Sequence, residues 1–130
     1  MRFVIDKIEQ KKCMTLVTGQ TSVGTIEGVW KGAEPPVINS NYHIELGIDY
    51  PCELNISLET QTSPYVCLDK DMVVFQGVCE AIDEDVYYIR FDIDWLEMLE
   101  INTITAKKEI GDYISFSANI YDIRIYPYML

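Results

Sequence analysis

Apolar and polar residues alternate at period 2 along most of this chain, the signature of half-buried β-strands. The pattern is plainest at 42–49 (Tyr-His-Ile-Glu-Leu-Gly-Ile-Asp) and at 87–94 (Tyr-Tyr-Ile-Arg-Phe-Asp-Ile-Asp), two stretches identical at four of eight positions. Each follows a Gly-Val pair, Gly28-Val29 or Gly77-Val78. In the second, Tyr87, Ile89, Phe91 and Ile93 are expected to face inward and Tyr88, Arg90, Asp92 and Asp94 outward. Similar alternation marks strands at 2–9 and 53–59, and one or two strands at 65–80 around Asp69-Lys70-Asp71. Residues 13–18 and 23–30 form either two strands parted by Gly19–Ser22 or one strand bulged near Gly19 or Gly24.

Turn chemistry punctuates these strands. Residues 31–41, with Pro35-Pro36, and 60–64 read as loops, and Ala81–Asp85 is the best hairpin turn. After Ile110-Gly111-Asp112 a last strand begins. Its apolar parity switches from Ile114, Phe116, Ala118 and Ile120 to Tyr121, Ile123 and Ile125, which predicts a bulge or sharp bend at 120–121. Asp94 with Glu97 three residues on resembles a helix-capping pair, so 95–100 is either a short helix or a continuing strand. The whole predicts one all-β domain over 1–130. It is an antiparallel β-barrel or sandwich of about seven to nine short strands, with at most one short helix near 95–100.

A chain of 130 residues can bury a core without metal or disulfide staples. With 48% apolar and 24% charged residues it is globular and not disordered. No run approaches the ~20 apolar residues of a membrane span. The start, Met1–Asp6, reads as a strand and not a signal peptide, which points to the cytoplasm. Cys13, Cys52, Cys67 and Cys79 form no Cys-x-x-Cys pair and His43 is the single histidine, so a zinc site is not expected. Free thiols are, with Cys67 and Cys79 as small core residues.

Charge changes the picture more. The net charge is −11, and Glu80–Glu100 holds eight Asp/Glu and one Arg, so seven of the eleven negative charges lie there. Such a field repels phosphate backbones, and the ten basic residues are too scattered for a nucleic-acid groove. It favours encounter with a cationic partner. Solubility alone would also account for acidity.

No nucleophile elbow, Gly-rich phosphate loop or calcium-binding loop occurs. Asp83-Glu84-Asp85 reads as a solvated turn. Asp92 and Asp94 lie about 7 Å apart, as in any alternating acidic strand. No catalytic residue, metal or cofactor is expected, and the chain reads as a binding module and not an enzyme. The candidate partner-binding residues are Asp83, Glu84, Asp85, Tyr88, Asp92, Asp94, Trp95 and Glu97, with Glu100 beside them. Carboxylates would pair with Lys/Arg of a partner, while Tyr88 and Trp95 would supply aromatic anchors. Trp30 is a further candidate anchor.

Three segments together carry a resemblance: Trp30-Lys-Gly-Ala-Glu-Pro-Pro36, Tyr42-His-Ile-Glu-Leu-Gly-Ile-Asp49, and Gly111-Asp-Tyr-Ile-Ser-Phe116 leading to Ile125-Tyr-Pro127. With them the chain resembles small acidic immunity-type proteins, encoded beside toxins in bacterial contact-dependent and polymorphic toxin systems. The resemblance implies a role: binding a cognate, basic toxin domain, such as a nuclease, and blocking it in the cytoplasm. Neither nucleic acid nor membrane would be a partner. Two other classes compete. One is a small-molecule or oligosaccharide-binding barrel whose cavity is lined by Trp30, Tyr42, Tyr87 and Tyr88. The other is an accessory β subunit pairing through an exposed edge at 2–9 or 120–128.

Overall fold

A computed structural model describes residues 1–56, 63–100 and 109–128, with 52–56 described in backbone alone. The far end of the strand expected at 53–59, most of the 60–64 loop and the Cys52 side chain lie outside the described residues.

Among the described residues eleven strands make one continuous sheet. In chain order they are β1 (Arg2–Lys11), β2 (Met14–Thr21), β3 (Gly24–Trp30), β4 (Asn41–Ile48), β5 (Cys52–Ile56), β6 (Tyr65–Asp69), β7 (Met72–Asp83), β8 (Val86–Asp92), β9 (Trp95–Glu100), β10 (Tyr113–Asn119) and β11 (Ile123–Tyr128). The all-β class stands, with more strands than the seven to nine expected. The surplus comes from 65–80, which splits in two at Lys70-Asp71, and from 95–100, which is a strand and not a helix.

β1, β2 and β3 are joined by hairpins, and β4 returns through the 31–40 loop to lie beside β1, as in a Greek key. β11 pairs β4 antiparallel and β3 parallel. These two pairings close a five-stranded barrel, β1-β2-β3-β11-β4. Phe3, Ile5, Val17, Ile26, Ile44, Ile123 and Ile125, all fully buried, belong to its five strands. A small barrel of this kind is filled by side chains. Gly19 leaves room for a side chain of the neighbouring strand: a Cβ there would come within 2.6 Å of the Phe3 ring.

The edges expected at 2–9 and 120–128 are paired in part. Arg2–Val4 pair β4 and Val4–Lys11 pair β2, while β11 pairs β4 along its whole length and β3 at Arg124–Ile125. Among the described residues the sheet ends instead at β5 and β9.

A single bridge, Gly24 to Val66, joins the barrel to β6, from which the second half extends. Its axis is β7. Residues Met72–Val78 pair β10, Met72–Gln76 pair β6, and Val78–Asp83 pair β8. The 7–8 and 8–9 hairpins thus form an arm beyond β6. Phe75 stacks on Phe116 at 4.8 Å between ring centroids and meets Phe91 edge-on at 5.9 Å. One apolar cluster runs through both halves.

The parity switch lies where the sequence places it. Ile120–Asp122 form one 3-10 turn, capped by the Asn119 side chain, which accepts from the Tyr121 N–H. Ile120 and Ile123 are both buried as a result. The similar stretches 42–49 and 87–94 take unlike places: β4 lies in the barrel between β1 and β11, β8 in the arm between β7 and β9.

Candidate partner-binding face

Directly opposed residues of paired strands share a face. In the arm, Tyr87 with Leu99, and Ile89 with Cys79 and Glu97, face inward. Tyr88 with Ala81 and Met98, Arg90 with Val78 and Leu96, and Val86 with Asp83 and Glu100 face outward. The outer face therefore carries an apolar strip, Tyr88, Met98 and Leu96, of which Met98 is 64% exposed. Arg90 crosses it and clasps Glu80 with two hydrogen bonds, Nη2 to Oε2 at 3.0 Å and Nε to Oε1 at 3.3 Å. At the hairpin tip Asp83, Glu84 and Asp85 are all exposed, with Glu84-Asp85 as the turn and Glu100 one strand away.

The eight candidate residues thus fall in three places. Asp83, Glu84, Asp85 and Tyr88 share the tip and outer face. Asp92 lies at the opposite end of β8, about 20 Å along the strand at the usual rise per residue. Its carboxylate accepts from the Ser22 hydroxyl and the Ile93 N–H, bonds that hold its pKa below the usual value. Asp94, Trp95 and Glu97 line a cleft along β9 that Arg90, Leu96 and Met98 of the outer face also border.

Trp95 is not a surface anchor. It is 2% exposed, packed on Phe91 at 4.7 Å. The reason is local. A bulge between Arg90 and Asp92 and a two-residue turn at Ile93-Asp94 reset the alternation, turning Trp95 inward and leaving Ile93, expected inside, 92% exposed. Trp30 is also buried, against the edge of Tyr42 at 5.0 Å. Cys67, expected in the core, is exposed, while Cys79 is buried and burial pushes its thiol pKa up.

The cleft has a volume of about 640 Å³ and lies between β4 and β9. Glu97 enters it half-buried, with Oε1 accepting from the Trp95 indole N–H at 2.8 Å. Burial, and then the nearby Glu45 on β4, raise its pKa to about 7, against the indole bond and the Met1 amine, which lower it. Sequence reasoning missed Glu45, Leu96 and Met98. The alternation of 42–49 already placed Glu45 outward, but nothing local reports that β9 faces β4.

Trp30, Tyr42, Tyr87 and Tyr88 do not line this cleft, and Tyr87 and Tyr88 lie on opposite faces of β8. Among the described residues no group of three or more His, Cys, Asp or Glu is placed to hold a metal ion, and no helix is long and apolar enough to cross a membrane. Set beside known protein families, curated proteins and solved structures, the chain matches none of them.

Proposed function

We propose that the chain is a protein-binding module that docks a basic partner on the arm, in the manner of an immunity-type protein neutralising a cognate toxin domain. One observation carries the reading: half-buried Tyr88 with exposed Met98 and Leu96 forms an apolar strip bordered by Asp83, Glu84, Asp85, Glu100 and Glu80. An apolar centre with a charged rim is the anatomy of a protein interface. The rim carboxylates steer a cationic surface inward, and the strip supplies the desolvated contact. A nuclease-type toxin has a basic substrate groove, which an acidic hairpin tip can occupy in place of phosphate. The protein acts by occupancy, without catalysis, in the cytoplasm where such a toxin would do damage.

The test is co-expression with the products of neighbouring genes, followed by purification at low salt. A stoichiometric complex with a basic domain, dissociating as salt rises and lost in the triple variant Asp83→Lys/Glu84→Lys/Asp85→Lys, supports the reading. A complex indifferent to that variant removes the tip from the interface. No complex at all returns weight to a small-molecule-binding barrel, for which the 640 Å³ cleft is the place to look.

A further inference from the structure

The walls of the cleft are made of consecutive residues: Ile44 to Ile48 of β4, and Asp94 to Leu99 from the turn into β9. Successive side chains of a strand point to opposite faces. A run of neighbours can share one cavity when that cavity faces the strand's edge, where backbone and both sets of side chains border it.

Neither edge has a strand partner there among the described residues. β9 is hydrogen-bonded to β8 alone among the described residues. β4 is paired to β11 along His43–Ile48, but to β1 along Asn41–His43. Ile44 makes the last contact on the β1 side: its N–H donates to Met1 O at 2.9 Å, and the Met1 amine donates to Ile44 O at 3.4 Å. Peptide groups of a strand point alternately to its two sides. Those of Leu46 and Ile48 therefore point the same way as Ile44, on the side of the cleft they line. Asp49 agrees with this phase, since its N–H donates the other way, to Asp122 O beside β11, at 2.9 Å.

Among the described residues the cleft is thus a gap in the sheet between two unpaired edges. Residues 44–48 span about 13 Å at the usual rise per residue, the length of a short strand. Its side-chain chemistry is mixed. Leu46, Ile48, Leu96 and Met98 are apolar, and Glu45, Asp94 and Glu97 bring three carboxyls against the single guanidinium of Arg90 and the Met1 amine.

We propose that this gap receives an extended segment of a partner protein, in which basic residues alternate with apolar ones, added as a strand between β4 and β9. The Leu46 and Ile48 peptide groups and the open edge of β9 supply main-chain hydrogen bonds, and the alternating walls supply selectivity, as in other strand-addition complexes. Charge decides which segment fits: an acidic strand would meet three carboxyls. The half-buried Glu97 carboxyl, which has no lysine or arginine partner among the described residues, is the natural seat for a cationic side chain. The gap shares Leu96 and Met98 with the strip of the proposed docking face but includes none of the tip residues 83–85, so the proposal holds whether or not the tip docks a partner.

The experiment uses the full chain with two capped hexapeptides, one alternating Val and Lys, the other Val and Glu. Amide hydrogen exchange is followed by NMR. The Val-Lys peptide is expected to slow exchange of the Leu46 and Ile48 amides at least tenfold at saturation, and the Val-Glu peptide to leave them unchanged. Glu97→Gln should weaken Val-Lys binding about fivefold, the share of one charge-assisted contact. Unaltered exchange at millimolar peptide overturns the proposal, as does equal protection by both peptides. Slow exchange of both amides in the free protein also overturns it, showing the edges already covered by the chain itself. So does protection that grows with protein concentration alone, which would seat a second copy there. Shifts confined to the tip residues 83–85 would sink the strand site while sparing tip docking.

Discussion

The indole of Trp95 donates its N–H to Oε1 of Glu97 at 2.8 Å, so a buried aromatic of the arm holds the half-buried carboxyl of the cleft wall. The bond favours the ionised form, yet burial outweighs it and the pKa rises from 4.5 to about 7. A carboxyl raised on folding keeps its proton where the unfolded chain has lost it. Stability from this group is therefore full below about pH 4.5 and falls as pH rises through 7. Glu97→Gln, which keeps the indole acceptor, should remove that slope. The variant should exceed wild type at pH 8 by as much as about 3 kcal/mol, read from urea unfolding at pH 5 and 8.

Charge reversal at the tip is expected to separate binding from folding. Asp83, Glu84 and Asp85 are exposed. Replacing all three by Lys should leave stability within about 0.5 kcal/mol per site, while weakening a basic partner's binding at least tenfold and flattening its salt dependence. Calorimetry of the complex at two salt concentrations, beside thermal unfolding of the free variant, measures both.

Phe75 is the hub of the arm core, fully buried and in ring contact with Phe91, Trp95 and Phe116. Phe75→Ala should cost about 3–5 kcal/mol by chemical denaturation. Phe75→Leu should cost less, since it leaves the smaller cavity.

Gly19 has no room for a methyl group beneath the Phe3 ring, with the Val4 carbonyl closer still. Gly19→Ala is expected to lose about 1–3 kcal/mol in thermal unfolding, because the backbone carbonyl cannot rotate aside as a side chain can. Pairing it with Phe3→Leu should recover only part of the loss.

Thiol accessibility tests the packing of the arm independently. In the native state a maleimide should label Cys13 and Cys67 rapidly and Cys79 only on unfolding, since the first two are exposed and the third is buried. Peptide mapping by mass spectrometry resolves the three.

The local pattern of the chain carried much of this fold. Alternation found β4 and β8, and the parity change between Ile120 and Tyr121 became the 3-10 turn. The approach of β9 to β4 was not legible, because no alternation in either segment records which distant strand lies across a cleft. Trp95 and Ile93 were misplaced for a related reason. Parity counted along a strand survives until a bulge or turn intervenes, and both occur between Arg90 and Trp95. The candidate acids were visible as a cluster in sequence, but β8 carries its two ends apart and β9 turns Glu97 to the inner face.

The barrel is closed by β11, while its other four strands all precede β5. The barrel therefore cannot close on a nascent chain until the whole of β5 to β10 is synthesised, which takes several seconds at about 5–20 residues per second. Throughout that time the edges of β3 and β4 that await β11 stand unpaired, exposed to any other strand in reach.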